Sequence, residues 1–275
     1  MKNLKVSHKV FEKHILAGIF PIFKKVGRTS AKTLEELKEN LKQDLLSQGK
    51  INEEDFCNHL KLGHGGVLDI DAEGVLVVAT FHSCRSLPAL LSGTKSYHAV
   101  AILGVETDTD NASGKALKEM PYDHITLDKL ERCLKDYKGY IWQKPPLYSS
   151  LKVCGKRASD LARLGQNVDI EPREVYAESV ECTSFTAPKF EIRVQCGGGF
   201  YVRSLIRDIG RGLGTCAHTS ELLRTSQGPF TLSDCLQEHQ WTVGNVNDSI
   251  QRHAWKVKKY LDSVFSTYRK RIDDW

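Results

Sequence analysis

The sequence predicts an α/β (α+β) fold whose central sheet is mixed and largely antiparallel, flanked by helices, rather than a doubly wound parallel sheet. Three observations carry this. In "KFEIRVQC", Phe190, Ile192, Val194 and Cys196 alternate with Lys189, Glu191, Arg193 and Gln195, which gives a strand one buried and one wet face. Two apolar runs, 75–81 "VLVVATF" and 97–105 "YHAVAILGV", are bounded by Gly, Ser and Thr and fit buried strands. Helical and strand periodicities then interleave irregularly, without the regular alternation that builds a parallel sheet.

Along the chain, Leu34, Leu37, Leu41 and Leu45 recur at helical spacing after "VGRTS", with Ser30 or Thr33 as the capping residue. "ETDTDNASG" after the second apolar run is a polar surface connection. Residues 126–138 are helical through Leu127, Leu130 and Leu134, and "QKPPLYSSLK" is extended, because Pro146 disfavours helix at Pro145. Beyond residue 250, Val257, Tyr260, Leu261, Val264, Phe265 and Tyr268 share a helix face, a terminal helix packed on the core. With no internal repeat or low-complexity linker, residues 1–275 are expected to form one domain.

Composition narrows the function. A formal net charge of +5 over 275 residues favours anionic partners without naming them. The cysteines at 57, 84, 133, 154, 182, 196, 216 and 235 form no Cys-x-x-Cys pair, which disfavours zinc, and the chain's size and start disfavour a secreted disulfide framework. No apolar stretch approaches the roughly 20 residues that span a bilayer. An intracellular protein with reduced thiols and no membrane contact is expected, in nucleus or cytoplasm, with the mitochondrion also open.

Two stretches invite chemistry. "GHGGVLDIDAEG", residues 63–74, sets glycines beside His64, Asp69 and Asp71, and glycine is entropically costly unless the backbone needs unusual dihedrals or close approach. Asp69 and Asp71 alone do not make a glycosidase pair, since nothing fixes their separation in a loop. The second stretch is a glycine turn, "GGGFYVR", leading into "SLIRDIGRGLG", where Ile206, Ile209 and Leu213 form an apolar stripe and Arg203, Arg207 and Arg211 an i, i+4, i+8 row. Such a row is ordinarily solvated surface. Arg203, beside the turn, is the least suited to idleness. Neither glycine motif has the spacing of a dinucleotide fingerprint.

Taken in order, five segments resemble the TruB family of tRNA pseudouridine synthases: "GIFPIFKKVGRTS", "KLGHGGVLDIDAEGVLVV", "GTKSYHAVAILGVETDTDNASG", "QKPPLYSSLKVCGKRASDLARLG" and "VQCGGGFYVRSLIRDIGRGLGTCAHTSELLRTSQGPF". They run from about residue 18 to 230. The resemblance implies a pseudouridine synthase fold and isomerisation of the T-loop uridine of tRNA, at position 55, by extrusion of the base. It implies Asp69 as the aspartate on which catalysis depends, His64 as the histidine accompanying base extrusion, and Tyr97 as the ring stacked on the uracil. It also implies Tyr201 near the base, Arg203 as the partner of the catalytic aspartate, Leu222 as a pocket wall, and Lys95 and Lys152 as basic residues near the RNA.

The reaction cleaves uracil from ribose at nitrogen and rejoins it through carbon 5, so no cofactor and no metal is implied. It needs an ionised carboxylate, nucleophile or base, in a site that excludes water. The T arm of tRNA is the implied partner, with T-loop-like mRNA stem-loops left open, and a monomer is expected. Two alternatives share the basic and aromatic features: a non-catalytic tRNA-folding protein and an RNA-guided synthase. The sequence departs from the family at Ile70, which replaces the usual proline, at Lys25-Val26, which replaces "KP", and at Ser159-Asp160, which replaces an aromatic-acidic pair. Residues after 230, with a helical tail over 245–275, are too few for the PUA domain of bacterial members, so none is expected.

Overall fold

The computed structural model describes residues 9–57, 60–153, 155–166 and 168–273. Cys154, the side chains of Cys57 and Tyr268, and the last two residues of the tail lie outside what is described. In chain order the first elements are α1 (Lys9–Glu12), β1 (Ile19–Lys24), α2 (Ser30–Ser47), β2 (Leu62–His64), β3 (Ala72–Thr80), α3 (Leu87–Ser92) and β4 (Lys95–Leu103). Next come β5 (Val105–Thr107), β6 (Ala116–Glu119), α4 (Leu127–Leu134), β7 (Gly139–Gln143), β8 (Lys152–Val153), β9 (Lys156–Arg157), α5 (Ala158–Arg163) and β10 (Arg173–Thr186). The last are β11 (Lys189–Cys196), α6 (Val202–Gly212), β12 (Ala217–Gln227), β13 (Phe230–Thr231) and α7 (Val243–Asp273). They form two compact units: residues 1–93 with 225–275, and residues 94–224.

In the first unit, β3 pairs antiparallel with β1 over Ile19↔Ala79 to Lys24↔Gly74, and with β2 over Leu62↔Thr80 to His64↔Val78. The continuous apolar run in β3 is explained by burial of both its faces. Leu76 and Val78, with Phe20 and Ile22, pack against Leu37, Leu41 and Leu45 of α2 and Val246 and Ile250 of α7. Val75, Val77 and Ala79 meet Leu90, Phe230, Val257, Tyr260 and Leu261. The tail is thus a core helix through Leu261, while Phe265 is exposed. The cap of α2 is neither Ser30 nor Thr33 but Thr29, whose hydroxyl accepts from the Lys32 N–H at 3.1 Å. Ser30 is occupied elsewhere.

The second unit is a sheet in the order β4, β11, β10, β7, joined antiparallel throughout. β11 covers the stretch read as an alternating strand, with the expected wet and buried sides. Helix α4 packs against β10 and α6 against β4. Thr126 caps α4 by accepting from the Lys129 N–H, and the stretch expected to be extended is non-helical but bends over residues 147–150. The polar connection does not lie wholly at the surface. It joins β5 to β6, which pair antiparallel, and Thr107 and Asp110 within it are buried.

Asp234 anchors α7 to the turn after β13. Its carboxylate accepts from the Thr231 N–H at 2.8 Å and from Lys256 Nζ at 2.8 Å. Burial raises its pKa, but the Lys256 and Thr231 hydrogen bonds outweigh that and bring it down to about 2. A depressed carboxylate stabilises the fold above its unfolded pKa near 3.8 and loses that contribution as pH falls through about 2. Urea unfolding between pH 2 and 5 therefore should show Lys256→Met losing about 1 kcal/mol at the upper end and little at the lower. A pH-independent deficit would contradict this.

Candidate active site

The glycine-rich stretch is the loop between β2 and β3 in the first unit. Within its backbone the Gly65 N–H reaches Val77 O at 2.8 Å and the Ala72 N–H reaches Asp69 O at 3.2 Å. Side chains and turns from elsewhere in the unit do the rest. Ser30 Oγ accepts from the Leu68 N–H at 2.8 Å and donates to the Leu68 carbonyl at 3.1 Å, clamping the residue before Asp69 on both sides. The Gly27 N–H donates to Ile70 O at 2.8 Å, fixing the residue after it. Lys24 Nζ, fully buried, donates to Ala72 O at 2.6 Å, and Gln227 Nε2 donates to Gly65 O at 2.5 Å. Leu68 is buried and Val67 and Ile70 are exposed, so Asp69, half-buried, sits at the rim of a turn that is fixed from below.

The glycines have separate reasons. Gly66 takes φ +147°, a region that side chains rarely enter. At Gly65 a Cβ would stand 3.2 Å from Leu90 Cβ, so its bareness lets the loop close on α3. Two of the three departures from the family pattern meet here: Ile70 and Val26 are both exposed, and the bond from Gly27, next to Val26, ends on the carbonyl of Ile70.

In the second unit, Tyr201 precedes the first residue of α6 without a side-chain cap of its own. Gln143 substitutes: its Nε2 donates to Tyr201 O at 2.9 Å and its Oε1 accepts from the Tyr201 N–H at 2.8 Å. One turn on, Ser204 Oγ donates to Lys144 O at 2.9 Å. The "QK" of "QKPPLYSS" is therefore strapped to the start of α6.

The arginine row is not a solvated face. Arg203 is only 5% exposed, and its guanidinium donates to Thr109 O at 2.8 Å and to Tyr148 O at 3.0 Å. Arg207, also buried, donates to Asp110 Oδ2 at 2.9 Å, Asp208 Oδ1 at 3.0 Å and Lys144 O at 3.0 Å. Arg211 alone of the three is exposed, paired with Glu106 at 2.7 Å. Asp110 went unremarked in the sequence, although its φ of +59° marks a shaped turn. Burial pushes its carboxyl pKa up against the opposing pull of Arg207 and Arg203.

Of the other residues implied by the resemblance, His64 closes β2 in the first unit. Tyr97 and Lys95 lie two apart on β4, hence on one face, opposite Val194 and Cys196. Both are buried. Burial and the nearby Arg224 lower the Lys95 pKa to about 8, so it is not an exposed phosphate grip. Leu222 on β12 is buried, and Lys152 is exposed on the β8–β9 hairpin. His64 and Asp69 thus share one loop of the first unit, and the remaining six belong to the second. Among the described residues, no group of three or more His, Cys, Asp or Glu is placed to hold a metal.

The architecture has solved counterparts. The chain matches one in the crystal structure of a Cbf5-Nop10-Gar1 complex with a TM-score of 0.60 and 29% identity, covering 83% of this chain and 54% of that one. A second, in a structure of an H/ACA RNP bound to a substrate RNA containing 2'-deoxyuridine, gives 0.58 and 26%, covering 84% and 54%. This chain therefore spans about half the length of each solved relative, and the fold is that of a pseudouridine synthase. Residues 54–202 match the TruB family pseudouridylate synthase (N terminal domain), and 203–267 the tRNA pseudouridylate synthase B C-terminal domain. Human pseudouridylate synthase TRUB1 is 43% identical over 237 residues, 84% of this chain and 67% of the relative. The tRNA pseudouridine synthase B of Dehalococcoides mccartyi is 40% identical over 176 residues, 64% and 59% respectively. The chain belongs to the TruB family of pseudouridylate synthases.

Two substitutions test these supports. Ser30→Ala removes both bonds to Leu68 and should cost about 1–3 kcal/mol, because the Leu68 N–H stays buried without its acceptor. Thermal unfolding of Ser30→Thr should recover most of it, and equal loss in both variants would contradict the clamp. Arg207→Met strands the buried carboxylate of Asp110 and should cost about 3 kcal/mol. The paired change with Asp110→Asn should recover part of that in denaturant unfolding, and strictly additive losses would refute the coupling.

Proposed function

We propose that the chain isomerises the T-loop uridine of tRNA, position 55, to pseudouridine. Residues 1–275 act in this reading as one catalytic domain, working as a monomer on the T arm wherever tRNA is found: nucleus, cytoplasm or mitochondrion. The observation that carries it is the loop of Asp69, where the residues before and after one half-buried carboxylate are held by bonds from Ser30 and Gly27. A catalyst without a redox or group-transfer partner depends on such positioning, since misplacing its one reactive group forfeits the gain from proximity.

The uridine leaves its stack at a cost of a few kcal/mol, part of which stacking on an aromatic ring returns. Tyr97 is the ring and His64 accompanies the extrusion. Asp69, ionised, drives cleavage of the bond between ribose and nitrogen 1. The uracil turns, its carbon 5 joins the ribose, and the proton on carbon 5 departs while nitrogen 1 gains one, so atoms balance without a second substrate. Tyr201 assists that last transfer through its hydroxyl, Arg203 is the partner of the catalytic aspartate, and Leu222 lines the base pocket. Lys152 meets phosphate, and Lys95 supports the strand that carries Tyr97. Stem-loops of mRNA with a T-loop fold fit the same chemistry.

Release of tritium from carbon 5 of uridine in an unmodified tRNA transcript measures the isomerisation directly. Wild-type chain should release it stoichiometrically, and Asp69→Asn should lower the rate by at least about 10³-fold with tRNA binding retained. Binding by both proteins and release by neither would replace the enzyme with a tRNA-folding protein, and release only with an added guide RNA would indicate an RNA-guided enzyme. Tyr201→Phe should leave base detachment intact and slow the final proton transfer. Unchanged turnover would remove Tyr201 from that step.

A further inference from the structure

We propose that the open face of the second unit's sheet, along its β7 edge, docks an extended, arginine-bearing segment of a partner protein. The strand pattern builds this face. Tyr140 and Trp142 stand two apart on β7 and point the same way, and Tyr176 of β10 lies directly across from Tyr140. The two tyrosine rings are 5.0 Å apart at 52°. Trp142 is 73% exposed, Tyr140 68% and Tyr176 42%. Large aromatic side chains clustered in solvent on adjacent strands mark an interaction surface rather than scattered surface apolarity.

The edge is open as well. Among the described residues β7 pairs only with β10 and ends the sheet order. Sheets usually protect such an edge with lysine, proline or a bulge, and "GYIWQ" contains none within the strand. Its outer row of N–H and C=O groups is therefore free to accept a further strand.

Charge decides the occupant. Glu174 sits across from Trp142, and Glu178 follows at the bulge between Ala177 and Ser179. Neither makes an ion pair among the described residues. Farther along, Glu191 meets His98 at 3.2 Å and Lys189 at 3.0 Å. Glu174 therefore leaves a carboxylate beside the Trp142 ring, while Glu178 accepts from Gln195 Nε2. A guanidinium fits, because its plane stacks on Trp or Tyr while its N–H groups bind a carboxylate in bidentate fashion. Arginines at alternate positions of an added strand fall about 6.8 Å apart, the repeat that separates Tyr140 from Trp142.

The test uses the full chain and a fluorescein-labelled nonapeptide of alternating arginine and valine, read by anisotropy. The double variant Tyr140→Ser with Trp142→Ser should weaken binding at least about tenfold, and Glu174→Gln about threefold, with tritium release from tRNA unchanged. The same nonapeptide with lysine for arginine should bind several-fold more weakly. Failure of the arginine peptide to bind, or equal binding by wild type and the double variant, overturns the proposal. So does quenching of Trp142 fluorescence by a nine-residue oligouridine that the double substitution abolishes, which would make the face a nucleic-acid surface.

Discussion

Irregular backbone can lie at a protein's interior only if something other than a neighbouring strand or helical turn takes its hydrogen bonds. That constraint organises both units. In the first, the loop carrying Asp69 is satisfied by Ser30, Lys24 and Gln227, three side chains drawn from α2, β1 and β12. In the second, Arg203 and Arg207 donate to the carbonyls of Thr109, Tyr148 and Lys144, and Gln143 takes both backbone groups of Tyr201. Fixed loops follow from buried polar side chains here. The cost of burying a charge is offset in Arg203 and Arg207 because several acceptors surround each guanidinium.

What the sequence displayed plainly was periodicity. The alternation of 189–196 became β11 at those residues, and the apolar run in β3 became a strand covered on both faces. These features are local in origin. The sequence offered Ser30 or Thr33 as the cap of α2, but Thr29 takes that role because Ser30 is claimed by Leu68, 38 residues away. The buried role of Arg207 was hidden for the same reason. Its carboxylate partner Asp110 is 97 residues distant, and an arginine row looks the same whether water or a carboxylate answers it. The candidate site residues were named from ordered motifs, whereas the side chains that brace their loops, Gln143, Ser204 and Gln227, gave no comparable signal.

The family departures show how a loop tolerates loss of proline. Proline fixes its own φ and removes conformational freedom from the unfolded chain. At Ile70 the bond from Gly27 ends on the carbonyl, which proline also possesses, so that bond is indifferent to the exchange. Rigidity at this turn rests on Ser30, which holds Leu68 at both its N–H and its carbonyl. Val26 and Ile70 lie outside that clamp and are exposed, where substitution changes packing little.

Charge separation within the second unit completes the physical picture. An RNA-directed surface works through cations, and a protein covered evenly with them would hold phosphate everywhere at comparable strength. The β8–β9 hairpin, with Lys152, Lys156 and Arg157 exposed, is basic, while Glu174 and Glu178 on the open sheet face leave negative charge beside uncovered rings. A field that changes sign across one unit orients an anionic ligand during encounter, because attraction at one surface is reinforced by repulsion at another. Placing acids beside exposed rings makes stacking selective, since a guanidinium gains from both groups and a nucleobase must bring its phosphate along.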